Sequence, residues 1–415
     1  MSGIIPKGWK TLELDEIAFV QTGIAINGEP DRTNPIRLPY LRVANVQDGH
    51  IDLSEVKYIT VSEHQVARYA LQVGDVLMTE GGDFDKLGRG AVWNGQIAPC
   101  LHQNHVFAVR PDQAQVLSAF LAAYCESAAG KRYFLSCSKQ TTNLASINST
   151  QLKEMPIVVP PLREQQRIVM ALNAWDHAID QTERLITAKR IEFNALYESL
   201  IGVGRRNAKL ETKWIQKKLG DVIFLSSGQH VASALVNDAG LGTPYLTGPS
   251  DFAIAHPLAT AWVEVPPVVC SEGDILVTVK GSGVGTMSIA DQSYCISRQL
   301  MAITPKSVDA GFLFFVSERE ISNRARNAHG LIPQLTRQDI CDITIELPDL
   351  ADQVQISRVL YCVREQVNAL TLLVDRLTKQ KRGLMQKLLT GEWRLDERFD
   401  AEALSPHASN VGGHS

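Results

Sequence analysis

The residues of this chain best suited to chemistry lie in glycine-rich turns and in polar runs ahead of two long helical stretches. Lys280-Gly281-Ser282-Gly283-Val284-Gly285 follows the predicted strand Asp274–Val279. The backbone N–H groups of such a turn can cradle a phosphate, with Lys280 and Ser282 as side-chain contacts. A dinucleotide loop would open a helix. Here Thr286–Ala290 reads as another strand, so the expectation is a hairpin, either beside a nucleic-acid backbone or purely structural. The first half has a longer loop at the matching place, Glu80 to Arg89, which offers Lys86 and Arg89. A second pair of loops, Lys139-Gln140-Thr141-Thr142-Asn143 and His329 to Gln334, begins 21 and 19 residues ahead of Pro160 and Pro348. Gln and Asn amides can take adenine N6 and N7 together, and Lys or Arg can take guanine. Lys139, Gln140, Thr141, Asn143, His329 and Gln334 are therefore candidate contacts, with turn capping as the plainer role. Lys131, Arg132, Arg298, Arg324 and Arg326 add basic groups suited equally to phosphates and to solvated faces.

Other constellations point away from catalysis. His102-x-x-His105 is half of a metal site with no matching Cys or His pair. Asp52-x-x-Glu55-x-Lys57 is too short a match to set a nuclease centre apart from chance. An adenine methyltransferase acting alone needs Asn/Asp-Pro-Pro-aromatic; the pairs here read Val159-Pro160-Pro161-Leu162 and Val265-Pro266-Pro267-Val268. No catalytic residue and no metal ligand is predicted. The seven cysteines include no C-x-x-C pair and read as reduced thiols of a cytoplasmic protein. The first residues lack a signal segment, and no apolar run approaches the ~20 residues of a membrane span. The net charge of −4 argues against a simple electrostatic nucleic-acid binder.

The elements that must position these loops are written twice. Pro160-Pro161-Leu162-Arg163-Glu164-Gln165 and Pro348-Asp349-Leu350-Ala351-Asp352-Gln353 each open a long helical stretch, 188 positions apart without a gap. Stepping by four and three from Ile168 gives Leu172, Trp175, Ile179, Thr182, Ile186, Lys189, Phe193, Leu196 and Leu200. The second copy gives Ile356, Leu360, Val363, Val367, Leu370, Val374, Leu377, Lys381, Leu384 and Leu388. A 3.5-residue seam held this long predicts a coiled coil, with one lysine in each seam either fixing register or snorkelling out. Gly202 and Gly391 are predicted stops. Ahead of the helices, Trp9 matches Trp214, Leu38–Leu41 matches Thr243–Leu246, Gly74-Asp75 matches Gly273-Asp274, and Cys100 is set against Cys295. The fold class expected is α+β. Two globular α/β domains alternate with two long antiparallel helices, the domains sit at opposite ends of the pair, and an approximate two-fold relates the halves.

On the doubled P-x-L-x-E/D-Q openings, the opening tryptophans, the Gly-Asp-Val/Ile-Leu strands and the closing Leu384–Trp393 segment, the chain from Gly8 to about Leu395 resembles the DNA-specificity subunit of type I restriction–modification enzymes. The resemblance implies a target recognition domain at 1–157, a central conserved helix at 158–204, a second recognition domain at 205–346 and a distal helix at 347–395. Residues 396–415 are expected to form a disordered tail. It also implies that each domain reads one half of an asymmetric bipartite site in double-stranded DNA, while the helices set the gap and dock two modification (methyltransferase) subunits. Restriction and translocase subunits would join them. Chemistry would lie on those partners, with S-adenosylmethionine on the methyltransferase and no cofactor on this chain. The alternative is a coiled-coil adaptor with duplicated protein-binding ends.

Overall fold

The computed structural model describes residues 5–25, 35–82, 87–137, 139–141, 144–202, 214–254, 256–281, 283–326 and 334–400. They divide into two compact units, Met1–Ile179 with Arg376–Ser415, and Asp180–Asp375. The first unit is not a linear segment, because each unit takes part of both long helices.

The first globular part runs β1 (Lys10–Glu13), α1 (Leu14–Ile17), β2 (Ala18–Thr22), β3 (Ile36–Leu41), β4 (Lys57–Val61), α2 (Glu63–Tyr69), β5 (Val76–Thr79), β6 (Gly81–Gly82), β7 (Gly90–Val92), β8 (Leu101–His102), β9 (Val106–Pro111), α3 (Ser118–Glu126), α4 (Ala128–Cys137), β10 (Lys139–Thr141), β11 (Leu144–Ser146), α5 (Ser149–Lys153) and β12 (Pro156–Val159). The long helix α6 (Leu162–Leu200) follows. The second part runs β13 (Ile215–Lys218), β14 (Ile223–Ser227), β15 (Val236–Asn237), β16 (Thr243–Leu246), β17 (Ala261–Val263), β18 (Val269–Cys270), β19 (Ile275–Thr278), β20 (Met287–Ile289), β21 (Tyr294–Ile296), β22 (Leu300–Pro305), α7 (Ala310–Arg326), α8 (Arg337–Cys341), β23 (Thr344–Leu347) and the second long helix α9 (Leu350–Leu389).

Each unit has a four-stranded antiparallel sheet, ordered β2-β9-β5-β7 and β14-β22-β19-β20, and a two-stranded closure, β1-β12 and β13-β23. A further sheet, β4-β3-β8 in one and β15-β17-β16-β21-β18 in the other, contains one parallel pair, β3 with β8 and β16 with β21. The repeat is written into the ladders. Lys10 faces Val159 as Ile215 faces Leu347; Val20 faces Val109 as Leu225 faces Ile303; Val76 faces Val109 as Ile275 faces Ile303. The offset between copies is thus 205 in β1 and β2, 199 in β5, 194 in β9 and 188 in β12. One sequence match needs correcting. Tyr40 pairs with Leu101 and Tyr245 with Cys295, so Leu101 is the counterpart of Cys295, and Cys100 matches Tyr294. Identity of residue type misled by one position, whereas a strand register cannot slip by one without turning every side chain to the other face.

Strands β5 and β19 are buried on both faces, which is why Val76-Leu77-Met78 and Ile275-Leu276-Val277 are unbroken apolar runs. Alternate residues serve different cores. Val76 and Met78 meet Phe107, Phe120 and Phe134, while Leu77 joins Trp93 and Leu41. Ile275 and Val277 meet Phe312 and Phe315, while Leu276 joins Leu246 and Tyr294.

α6 and α9 hold 39 and 40 residues. In the first unit the start of α6, through Ile168 and Leu172, packs on the end of α9, through Met385, Leu388 and Leu389. In the second unit the end of α6, through Phe193, Leu196 and Leu200, shares a core with Ile356 and Leu360 at the start of α9. The helices therefore pair antiparallel in both. The numbers of facing residues add to 557 in each unit, for Asp176 with Lys381 and for Phe193 with Arg364. Every apolar seam position is buried or half-buried. The two seam lysines both reach carboxylates, Lys189 that of Glu192 on its own helix at 2.8 Å and Lys381 that of Asp176 across the pair at 2.5 Å. After α9, Gly391 takes φ +70 against Pro6 and Trp9. The first residues of the expected tail are described. Glu397–Phe399 form a 3-10 turn, Asp400 lies 3.1 Å from the Arg167 guanidinium, and residues 401–415 lie outside the described ones.

Candidate nucleic-acid interface

The repeated helix openings are architecture. Gln165 is fully buried; its Oε1 accepts the Leu117 N–H at 2.9 Å, and its Nε2 donates to the carbonyls of Gln115 and Pro160, both at 2.9 Å. Gln353 repeats this, accepting the Asp309 N–H at 3.0 Å and donating to the Pro348 carbonyl at 2.8 Å. Each glutamine pins the approach to α3 or α7 onto the start of a long helix. Glu164 has a different task. Its buried carboxylate takes the Trp9 indole N–H at 3.0 Å and a two-pronged Arg394 guanidinium at 2.7 Å, tying the opening tryptophan to the segment after α9. In the second unit Trp214 instead lies against Phe312, ring centres 5.9 Å apart and planes tilted by 53°.

Several candidate polar groups meet at one corner of each unit, where three segments come together. In the second unit the strand end after β19 forms a backbone bridge between Lys280 and Gln334. The Val279 N–H donates to the Gln299 carbonyl in the turn before β22, at 2.8 Å, and the Leu335 N–H donates back to the Val279 carbonyl at 2.9 Å. Lys280, Arg298, Gln299 and Gln334 are all exposed there. The first unit repeats the same three bonds. Gly81 on β6 bridges Ser146 on β11, the Glu80 N–H donates to the His105 carbonyl at 3.0 Å, and the Ile147 N–H donates to the Glu80 carbonyl at 2.9 Å. The frame is common and its side chains differ. The His105 imidazole Nδ1 and the Glu80 carboxylate lie 2.5 Å apart, an ion pair whenever the ring is protonated.

The structure thus joins Lys280, Arg298 and Gln334, which the sequence offered separately. Lys139, Gln140 and Thr141 lie on β10, which pairs with β11 and through it with β6, beside the first corner. Lys86, Asn143, Ser282 and His329 fall outside the described residues. Arg89 is half-buried and donates to the Gln47 amide oxygen. Arg324 donates to the Asp342 carbonyl at 3.2 Å, so both arginines are engaged in the fold. Arg326 is exposed and donates to Asn323 at 2.5 Å; Lys131 and Arg132 are exposed on α4. Asn104, His105 and Gln299 also stand in these turns, and the sequence reading did not offer them as candidates. Their only sequence signal is a place in a short turn between two strands, and nothing local says that the turn meets segments far along the chain.

The rejected constellations take separate paths. His102 is buried with Nδ1 2.7 Å from the Val106 carbonyl, and burial lowers its pKa below the usual 6.5. His105 points to solvent. Asp52 accepts the Ser54 N–H at 2.9 Å, while Glu55 pairs with Arg42 at 3.1 Å. Among the described residues no group of three His, Cys, Asp or Glu could hold a metal ion. Burial pushes the Cys100 and Cys125 thiols up to about 12, which leaves them without a thiolate at neutral pH. Among the described residues no helix is long and apolar enough to cross a membrane.

The comparisons with known proteins agree with this duplicated frame. The family described as "Type I restriction modification DNA specificity domain" matches residues 6–189 and 211–371. A Methanocaldococcus jannaschii protein, assigned as the MjaX type I restriction enzyme specificity subunit, is 27% identical over 409 residues, spanning 95% of each chain. The EcoKI specificity subunit of Escherichia coli K12 is 23% identical over 250 residues, 57% of this chain and 52% of the relative. In fold, the S subunit of a type I system from M. genitalium aligns with TM-score 0.59 at 14% identity over 92% of this chain and 96% of its own. A chain from work on complex assembly and conformational transition in a type I R-M system aligns with TM-score 0.56 at 24% identity over 94% of this chain and 100% of its own. Matched in both halves, on ladders that repeat pair for pair, the chain belongs to the type I restriction modification DNA specificity domain family and carries that domain twice.

Proposed function

We propose that this chain is the DNA sequence-recognition subunit of a type I restriction–modification complex, and that each unit reads one half of an asymmetric bipartite target in double-stranded DNA. The observation that carries this reading is the corner: one backbone frame, present twice, bearing different polar side chains. A common frame docks both units on DNA in the same manner, and unlike side chains select unlike bases. The paired helices are the spacer. At ~1.5 Å per residue, a 40-residue helix is about 60 Å long, enough to separate two readers along one duplex. The exposed apolar side chains of the pair, such as Leu185, Ile191, Leu372 and Leu373, suit docking of two methyltransferase subunits. These would bind S-adenosylmethionine and perform the methyl transfer, with restriction and translocase subunits completing a cytoplasmic assembly. The chain itself would be non-catalytic. The domain assignment that follows is 1–157 and 205–346 for reading, with 158–204 and 347–395 for spacing and docking.

Methylome sequencing of the host with and without this gene tests the reading. A two-part methylated motif that vanishes with the gene is the expected result. An unchanged methylome would favour the adaptor alternative.

A further inference from the structure

Resting on that reading, we propose that the turn between the last two strands of each sheet pair holds the base-reading side chain of its unit: Gln299 in the second unit, and His105 with its Glu80 partner in the first. The backbone of Gln299 is fixed on both sides. Its N–H donates to Ser297 Oγ at 3.2 Å, its carbonyl accepts Val279 N–H at 2.8 Å, and Ser297 Oγ donates to the Thr247 carbonyl at 2.6 Å. Its side-chain amide makes no hydrogen bond among the described residues, although its backbone is held. Gly248 lies beneath it. A Cβ there would come within 2.8 Å of the Gln299 Oε1, yet Gly248 is extended at φ 174, a conformation open to any residue. A side chain at this position would displace the amide from its present place, and the backbone of the turn does not itself require a glycine. Lys280 and Arg298 flank the amide as exposed cations. A donor–acceptor pair carried on a fixed backbone between two phosphate-seeking cations is the equipment for a base edge, with adenine's N6 and N7 as the matching pattern.

The first unit offers different chemistry at the same place. His105 is exposed, its Nδ1 is 2.5 Å from the Glu80 carboxylate, and its Nε2 is 3.4 Å from the Asn104 amide nitrogen. That arrangement fixes the ring plane, and it does not offer the amide's paired donor and acceptor. The two turns should therefore specify different bases.

The test replaces the chromosomal gene with Gln299→Ala and, separately, His105→Ala, and compares methylomes with the wild type. Gln299→Ala should relax one base position in one half-site. Sites altered at that position should gain on the original by about 5- to 150-fold, the range for one bidentate base contact. The other half-site and the gap should not change, and His105→Ala should relax the other half. An unaltered consensus, or relaxation in both halves, overturns the assignment. If Gln299→Ala abolishes methylation, Gln299→Glu decides, since it keeps the shape and removes the amide donor. Methylation restored at sites changed in one base supports the proposal; restoration at the original site, or none, contradicts it. Were gene deletion itself without effect on the methylome, the parent reading would fail before any variant is compared.

Discussion

A buried amide fixes where each long helix begins. Gln165 and Gln353 each satisfy backbone groups of two different segments, so loss of the side chain leaves those groups unpaired in the interior. At about 1–3 kcal/mol per stranded group, Gln353→Leu should destabilise the chain by roughly 2–4 kcal/mol, read as a lower urea midpoint at unchanged slope. A midpoint within error of the wild type would mean that the bonds contribute nothing. The repetition of these glutamines was legible in the sequence, but their task was not, because their partners are backbone atoms as far as 50 residues away. His102 carries a second prediction. Burial depresses its pKa, so the unfolded chain binds this proton more readily, and stability is lost as pH falls below the ~6.5 of an unfolded histidine. For one group the loss is at most about 1.4 kcal/mol per pH unit. Unfolding followed from pH 7.5 to 5.5 should show stability falling with pH in the wild type and falling less in His102→Gln. Equal slopes would remove His102 from the account.

The helices were the most legible elements. A 3.5-residue period needs only apolar residues at regular intervals, and the seam read from Ile168 to Leu200 and from Ile356 to Leu388 is the covered face. The constancy of 188 and the drift from 205 also located the insertions correctly, within the globular parts. The corners were illegible for a physical reason. The bridge from Lys280 to Gln334 joins residues 54 apart, and strand pairing over such a distance leaves no periodic trace in either partner. The same cause produced the one-residue error at Cys295. The helix pairing sharpens a test of the spacer. Ile186 faces position 371 by the common sum, so one heptad must be added after Ile186 and one beside Thr371 to keep the seam in register. The pair then grows by ~10 Å, and the gap between half-sites should widen by about three base pairs in the methylome. An unchanged gap would mean that the helices are not the spacer.

For the whole molecule, charge bears on affinity. A chain with net charge −4 lacks the basic field that dominates non-specific DNA binding, so the lone protein should bind DNA weakly and gain affinity with the proposed methyltransferase partner. Gel shifts across a salt series should show this; tight, salt-resistant binding by the isolated chain would contradict it. The central claim is the division of labour between two unlike readers on one repeated frame. It is tested most directly by exchanging residues 1–157 for the matching part of another family member and sequencing the methylome. The account predicts a new sequence in one half-site, with the other half and the gap retained. A change in both halves, or in neither, would contradict it.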